Sequence, residues 1–139
     1  MPFINFMNIT RALSDENRVR ILMALRHNEF CVCQITAFLD LSPSTTSKHL
    51  SVLKSARLIE ARKVGKWVYY RLSDSPESLE MARAAISWAE ESIGDSPAIR
   101  NDLDRIDSII RDEQQKYGIS ECALHDEYHS LAVHSLEQE

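Results

Sequence analysis

Apolar residues recur at helical spacing along most of this chain and at strand spacing in one stretch. Within 15–27, Val19, Leu22 and Leu25 share one face with Ile21 alongside, which predicts a helix. A short helix over 31–39 presents Ile35, Phe38 and Leu39. Over 43–57 the predicted buried set is Thr46, Leu50, Leu53 and the stem of Arg57. Residues 77–93 offer Leu79, Ala82, Ile86 and Ile93, and 97–117 offer Ile99, Leu103, Ile106 and Ile110. The stretch "LIEARKVGKWVYYRLS" breaks the pattern: Val68, Tyr70 and Leu72 alternate with Tyr69 and Arg71, and Gly65-Lys66 supplies a turn. It predicts a two-stranded hairpin with a basic tip, which must pack on the helices because a lone hairpin is marginal in water.

Serine followed by proline marks helix starts, since the hydroxyl accepts a free N–H and proline needs none in the first turn. Ser42-Pro43, Ser75-Pro76 and Ser96-Pro97 place starts near 43, 76 and 97. Gly94 and Gly118 fall where the last two of these helices should stop. Ser14 and Ser120, each followed by acidic residues, predict two further starts.

Charge changes the picture. The net charge is −5, yet residues 41–73 carry Lys48, Lys54, Arg57, Arg62, Lys63, Lys66 and Arg71 against Glu60 alone. Residues 74–139 carry five basic and sixteen acidic residues. A basic middle beside an acidic tail is where an anionic polymer docks. No apolar run approaches the ~20 residues that span a membrane. The start "MPFINFMNIT" lacks a basic n-region and cleavage site, so a cytoplasmic protein without a membrane partner is expected. Three cysteines in that compartment suggest metal binding, redox sensing or plain burial, not a disulfide framework.

Helix 31–39, the turn Asp40-Leu41-Ser42, helix 43–57 and the hairpin form a winged helix–turn–helix, in which the second helix enters the major groove. Its N-terminal side carries Ser44, Thr45, Ser47, Lys48 and His49, able to reach phosphates and base edges. Arg62, Lys63 and Lys66 at the hairpin tip are placed to follow the DNA backbone or minor groove. Ser42 is expected only to cap.

The run L-S-x-x-T-x-S-x-H-L-x-V-L at 41–53, followed by a hairpin ending Y-Y-R-L, resembles the ArsR/SmtB family of winged-helix metal-sensing repressors over residues 9–93. The resemblance implies a homodimer on double-stranded operator DNA, with a ligand that lowers DNA affinity. It implies a dimer built from the N-terminal helix (Phe3, Phe6, Ile9) and helix 77–93, with Glu80, Glu90 and Glu91 away from DNA. The expected fold is mainly α with a two-stranded β-hairpin. Residues 1–94 form the DNA-binding and dimerisation domain, and 95–139 a C-terminal extension of two helices.

Cys31 and Cys33 stand in "EFCVCQI". On an ideal helix two such residues point about 200° apart, so one ion could take both only if the first turn opened. A disulfide between them would be strained. Thiolates are soft ligands and suit As(III), Sb(III), Cd(II), Pb(II), Cu(I) or Zn(II). The family's arsenic sensors, by resemblance, carry C-V-C here, an acid next and a third cysteine three residues on; this chain has Gln34 and Thr36 at those places. Residues 76–93 lack histidine and 1–30 lack cysteine, so the family's zinc and cadmium/lead ligand sets are incomplete and trivalent arsenic or antimony is favoured as inducer. Cys122 could complete the site, or join His125 and His129 at i, i+3, i+7 in a separate one, or belong to a plainly packed tail helix. A thiol-redox or persulfide sensor, with Cys31 or Cys33 pairing to Cys122, or a Cd/Pb sensor of the same fold, is the alternative. An enzyme is not expected, since C-x-x-C and glycine-rich cofactor loops are both missing.

Overall fold

Serine followed by proline opens two of the helices, at 42–43 and 96–97, in the computed structural model, which describes residues 2–73 and 79–117, the side chains of 116 and 117 excepted. The chain runs α1 (Pro2–Leu13), α2 (Glu16–Ala24), β1 (Phe30–Cys31), α3 (Val32–Leu39), α4 (Pro43–Ser55), β2 (Ile59–Val64), β3 (Trp67–Leu72), α5 (Glu80–Ile93) and α6 (Pro97–Tyr117). Asp15, not Ser14, caps α2: its carboxylate accepts from the N–H groups of Asn17 (2.8 Å) and Arg18 (3.2 Å). A charged acceptor suits the positive end of a helix better than a hydroxyl. Ser14 instead donates to the Arg11 carbonyl at 2.7 Å, closing α1. Ser42 caps α4 as expected, accepting from the Thr45 N–H at 3.2 Å.

Helix α4 stops two residues earlier than the periodicity predicts. Arg57 takes φ 59°, its N–H meets the Lys54 carbonyl at 3.0 Å, and the Leu58 N–H meets that of Leu53 at 3.1 Å. This left-handed cap satisfies carbonyls the helix leaves free. It also turns Arg57 out to solvent, so its stem is not part of the core. Helix α5 begins at Glu80 and not near 76, because Leu79 is extended (φ −61°, ψ 129°) and packs its side chain against the core. Ser75-Pro76, Gly118 and the helix expected from Ser120 lie outside the described residues. Gly94 does end α5, in a right-handed conformation. An added Cβ there would lie 2.5 Å from the Glu90 carbonyl oxygen and 2.6 Å from the Arg26 guanidinium.

The hairpin joins β2 to β3 through Gly65-Lys66, with Val64 opposite Trp67 and Ile59 opposite Leu72. Gly65 has φ 63°, which the tight turn requires. The sheet has three strands in the order β1-β3-β2, not two: Phe30 pairs with Tyr70 and Cys31 with Tyr69. The short β1 covers an edge of β3 that would otherwise stand open. The core gathers Ile21, Leu22 and Met23 of α2, Ile35 and Phe38 of α3, Leu50 and Leu53 of α4, and Leu58 and Ile59 beyond it. Ile9, expected at a dimer interface, is buried here within the protomer. Helix α6 adds Ile99 and Ile106 to the same core. Its buried Asp102 takes a two-pronged hydrogen bond from Arg20 of α2, at 2.9 and 2.8 Å.

Candidate nucleic-acid interface and thiol pair

Helix α4 turns its apolar positions Thr46, Leu50 and Leu53 inward, which leaves Ser44, Ser47 and Lys48 exposed together on its N-terminal half. Thr45 is half-buried, and its hydroxyl accepts from Ser42 Oγ at 2.8 Å. His49 is turned toward α2: its Nδ1 lies 3.3 Å from Arg18 Nη1 and 4.0 Å from Asp15 Oδ1. It serves as a strut between the two helices. On the wing, Lys63 is exposed and the Lys66 ammonium sits 5.2 Å over the Trp67 ring. Arg62 grips Glu29 through both Nε and Nη2, and its guanidinium lies 5.9 Å over the Tyr69 ring. Arg71 joins this group, pairing with Glu60 at 3.2 Å and with Glu29 at 3.7 Å.

The thiol pair sits at the junction of β1 and α3. Cys31 is the N-cap, in extended backbone (φ −80°, ψ 164°), and Cys33 lies in the first turn of the helix. Their Cα atoms are 5.5 Å apart and the two sulfurs are joined as a disulfide. The expectation that both thiols meet only if a helical turn opens is therefore corrected. Cys31 belongs to a strand, not to the helix, so the 200° separation never applies. Both cysteines are buried, at 0 % and 4 % exposure, and Tyr69 of the wing packs against them.

One residue further, Gln34 links this junction to α6. Its Oε1 accepts from the Cys31 N–H at 3.1 Å, and its Nε2 donates to Glu113 Oε2 at 3.1 Å. Burial pushes the Glu113 carboxyl above the usual carboxylate range, and the Gln34 hydrogen bond pulls it partly back. Among the described residues Glu113 Oε1 and Thr36 Oγ1 are buried and find no hydrogen-bond partner. Among the described residues no group of three or more His, Cys, Asp or Glu could hold a metal ion. Cys122, His125 and His129 lie outside the described residues.

Sequence reasoning missed Glu29, Gln34, Tyr69 and Glu113. A glutamine three residues after an N-cap is a capping-box signal. Cysteine in place of the usual serine or threonine concealed it.

The model described as "Bacterial regulatory protein, arsR family" matches residues 15–61, from the cap of α2 into β2. The arsenical resistance operon repressor of Escherichia coli (strain K12) is 33% identical over 112 residues, covering 80% of this chain and 86% of that protein. The chain belongs to the ArsR family. Among ArsR-family relatives, the cadmium resistance transcriptional regulatory protein CadC of Listeria innocua serovar 6a is 40% identical over 82 residues, 58% of this chain and 68% of CadC. The transcriptional repressor SmtB homolog of Synechocystis sp. is 44% identical over 64 residues, 46% of this chain; the match spans only about half (48%) of that protein's length. The homodimeric winged helix-turn-helix DNA-binding domain Mb0332 of Mycobacterium bovis superposes with a TM-score of 0.55 at 27% identity, over 64% of this chain and 78% of that one. The unit from α3 to β3 is thus the winged helix–turn–helix of an ArsR/SmtB-type transcriptional regulator.

Proposed function

We propose that this chain is a metal-responsive repressor whose dimer holds operator DNA through Ser44, Thr45, Ser47 and Lys48 of α4 and Arg62, Lys63 and Lys66 of the wing. Its inducer is trivalent arsenic or antimony, taken by Cys31 and Cys33. The observation that carries this reading is the thiol pair itself: two soft donors already side by side, between a strand of the wing sheet and the helix that precedes α4. A soft trivalent ion fits two such sulfurs, and each thiol gives up its proton on binding. Thr36 has a hydroxyl where a third sulfur would stand, so Cys122 is the candidate third donor, with His125 and His129 as lesser ones. The arsenical repressor of E. coli supports arsenic as the inducer, while CadC keeps cadmium in play.

The deciding experiment is fluorescence anisotropy of the reduced, metal-free protein on DNA from upstream of its own gene, titrated with arsenite. The expected result is loss of affinity by about 5- to 150-fold near stoichiometric arsenite. Cys31→Ser and Cys33→Ser should each bind DNA normally and fail to release it; release by both variants would refute the assignment. Cys122→Ser reports on the third donor, and cadmium and lead are tested in parallel.

A second reading is favoured by the joined sulfurs. In a redox sensor the two thiols lose two electrons and two protons to an oxidant and form the bond seen here. Release of DNA by diamide from metal-free protein, reversed by dithiothreitol, would select it.

A further inference from the structure

We propose that Gln34 and Glu113 are positioning residues of the thiol pair, so that helix α6 holds the junction at which Cys31 and Cys33 meet.

The argument begins with the amide of Gln34. Only its oxygen can accept from the Cys31 N–H, and only its nitrogen can donate to the Glu113 carboxyl, so the two 3.1 Å contacts fix its orientation. Gln34 and Glu113 are both buried, at 8 % and 4 % exposure, where neither end of the bridge is exchanged for water without opening the structure. The bridge acts on the one backbone position that matters for the sulfurs. Cys31 is extended and Cys33 helical, and the N–H held by Gln34 belongs to the residue where the chain changes from one to the other.

Glu113 is a poor choice for stability alone. One of its oxygens is buried and finds no partner among the described residues, and a buried orphan acceptor is unfavourable. An apolar residue would pack the same face of α6 without that orphan, but it would leave the buried Gln34 amide N–H unpaired. What the carboxyl supplies is an acceptor that keeps the Gln34 amide from turning or swinging away. Helix α6 can supply it rigidly because it is anchored elsewhere, by Ile99 and Ile106 in the core and by the Arg20–Asp102 pair. Any ligand or bond that reshapes the thiol junction must then act on α6, and α6 on the junction, to the same extent.

This inference rests on the thiol pair being the sensing site, but its test does not require an arsenical. In a Cys122→Ser background, the reduced full-length protein is reacted with 5,5′-dithiobis(2-nitrobenzoate), and amide hydrogen exchange is followed in α2 and at residues 31–34. Glu113→Ala should raise the labelling rate of Cys31 and Cys33 about tenfold, with faster exchange at 31–34 and unchanged exchange in α2. Glu113→Gln keeps an acceptor for Gln34 and should stay within about twofold of the parent. Gln34→Leu probes the same bridge from its other end, should Glu113→Ala fail to fold. Equal labelling in all of these proteins would overturn the proposal. So would acceleration that tracks a general loosening of α2, or one that Glu113→Gln shares. A parent protein that ignores arsenite but shows the labelling differences refutes arsenic as the inducer and leaves the positioning role standing.

Discussion

Cysteine is an unusual N-cap, and at α3 its neighbours make up for it. Serine or threonine would accept a first-turn N–H through oxygen; sulfur is a weak acceptor, and Gln34 provides the return contact to the Cys31 N–H. The partner of that glutamine, Glu113, gives the site a dependence on pH. Its folded carboxyl is raised mainly by burial, so the folded state binds this proton more tightly than the unfolded chain. The contribution is therefore fully favourable below the unfolded value of about 4.3 and is lost as pH rises through the higher folded value. Glu113→Gln should match the parent in stability near pH 4 and exceed it increasingly toward neutrality. Urea melts across pH 4–8 read the difference, which cancels the titration of the other carboxylates. A constant offset across that range would show that Glu113 does not titrate upward.

At the scale of elements, the wing and the thiol junction are one sheet. Cys31 is paired with Tyr69 of β3, Tyr69 packs against the cysteine pair, and Arg62 lies over the Tyr69 ring while its charge is held by Glu29. The arginine proposed to reach phosphate is thus held by a carboxylate two residues before the first thiol. Glu29→Gln should tighten operator binding and steepen the slope of log affinity against log salt by up to about one unit, as Arg62 is freed for phosphate. Anisotropy titrations at four or five salt concentrations measure both. An unchanged slope would mean that Arg62 does not reach DNA. The ladder between β1 and β3 gives the junction direct contact with the wing, beside the packing of α3 on α4.

Among the described residues, helix α1 keeps an apolar surface uncovered. Phe3 and Phe6 on α1 are 78 % and 52 % exposed, with Ile4 and Met7 beside them. Pro2 and Asn5 line an open groove with Leu79, Glu80, Met81 and Ala84 at the start of α5. These are the two helices that the family resemblance assigns to dimerisation, and a contiguous patch of this kind marks an interaction site. Phe3→Glu combined with Phe6→Glu should yield a monomer by sedimentation, with operator affinity lower by about a hundredfold or more, since two half-sites are no longer engaged together. A double variant that stays dimeric would place the interface elsewhere.

Periodicity alone determined helices α2 and α4, because a face of Leu22 and Leu25, or of Thr46, Leu50 and Leu53, must be buried wherever the chain goes. The hairpin was equally plain, since alternation and Gly65-Lys66 are local signals. The sequence also marked Cys31 and Cys33 as a pair. It could not place them relative to each other: a two-residue strand has no period, and whether Cys31 is extended or helical depends on β3, thirty-eight residues away by its partner Tyr69. Nor could it join Gln34 to Glu113, or Arg20 to Asp102, at separations of 79 and 82 residues. Local chemistry fixes caps, turns and buried faces. Which polar groups meet across the core is decided only when the helices pack, because each must find its partner there or remain unsatisfied.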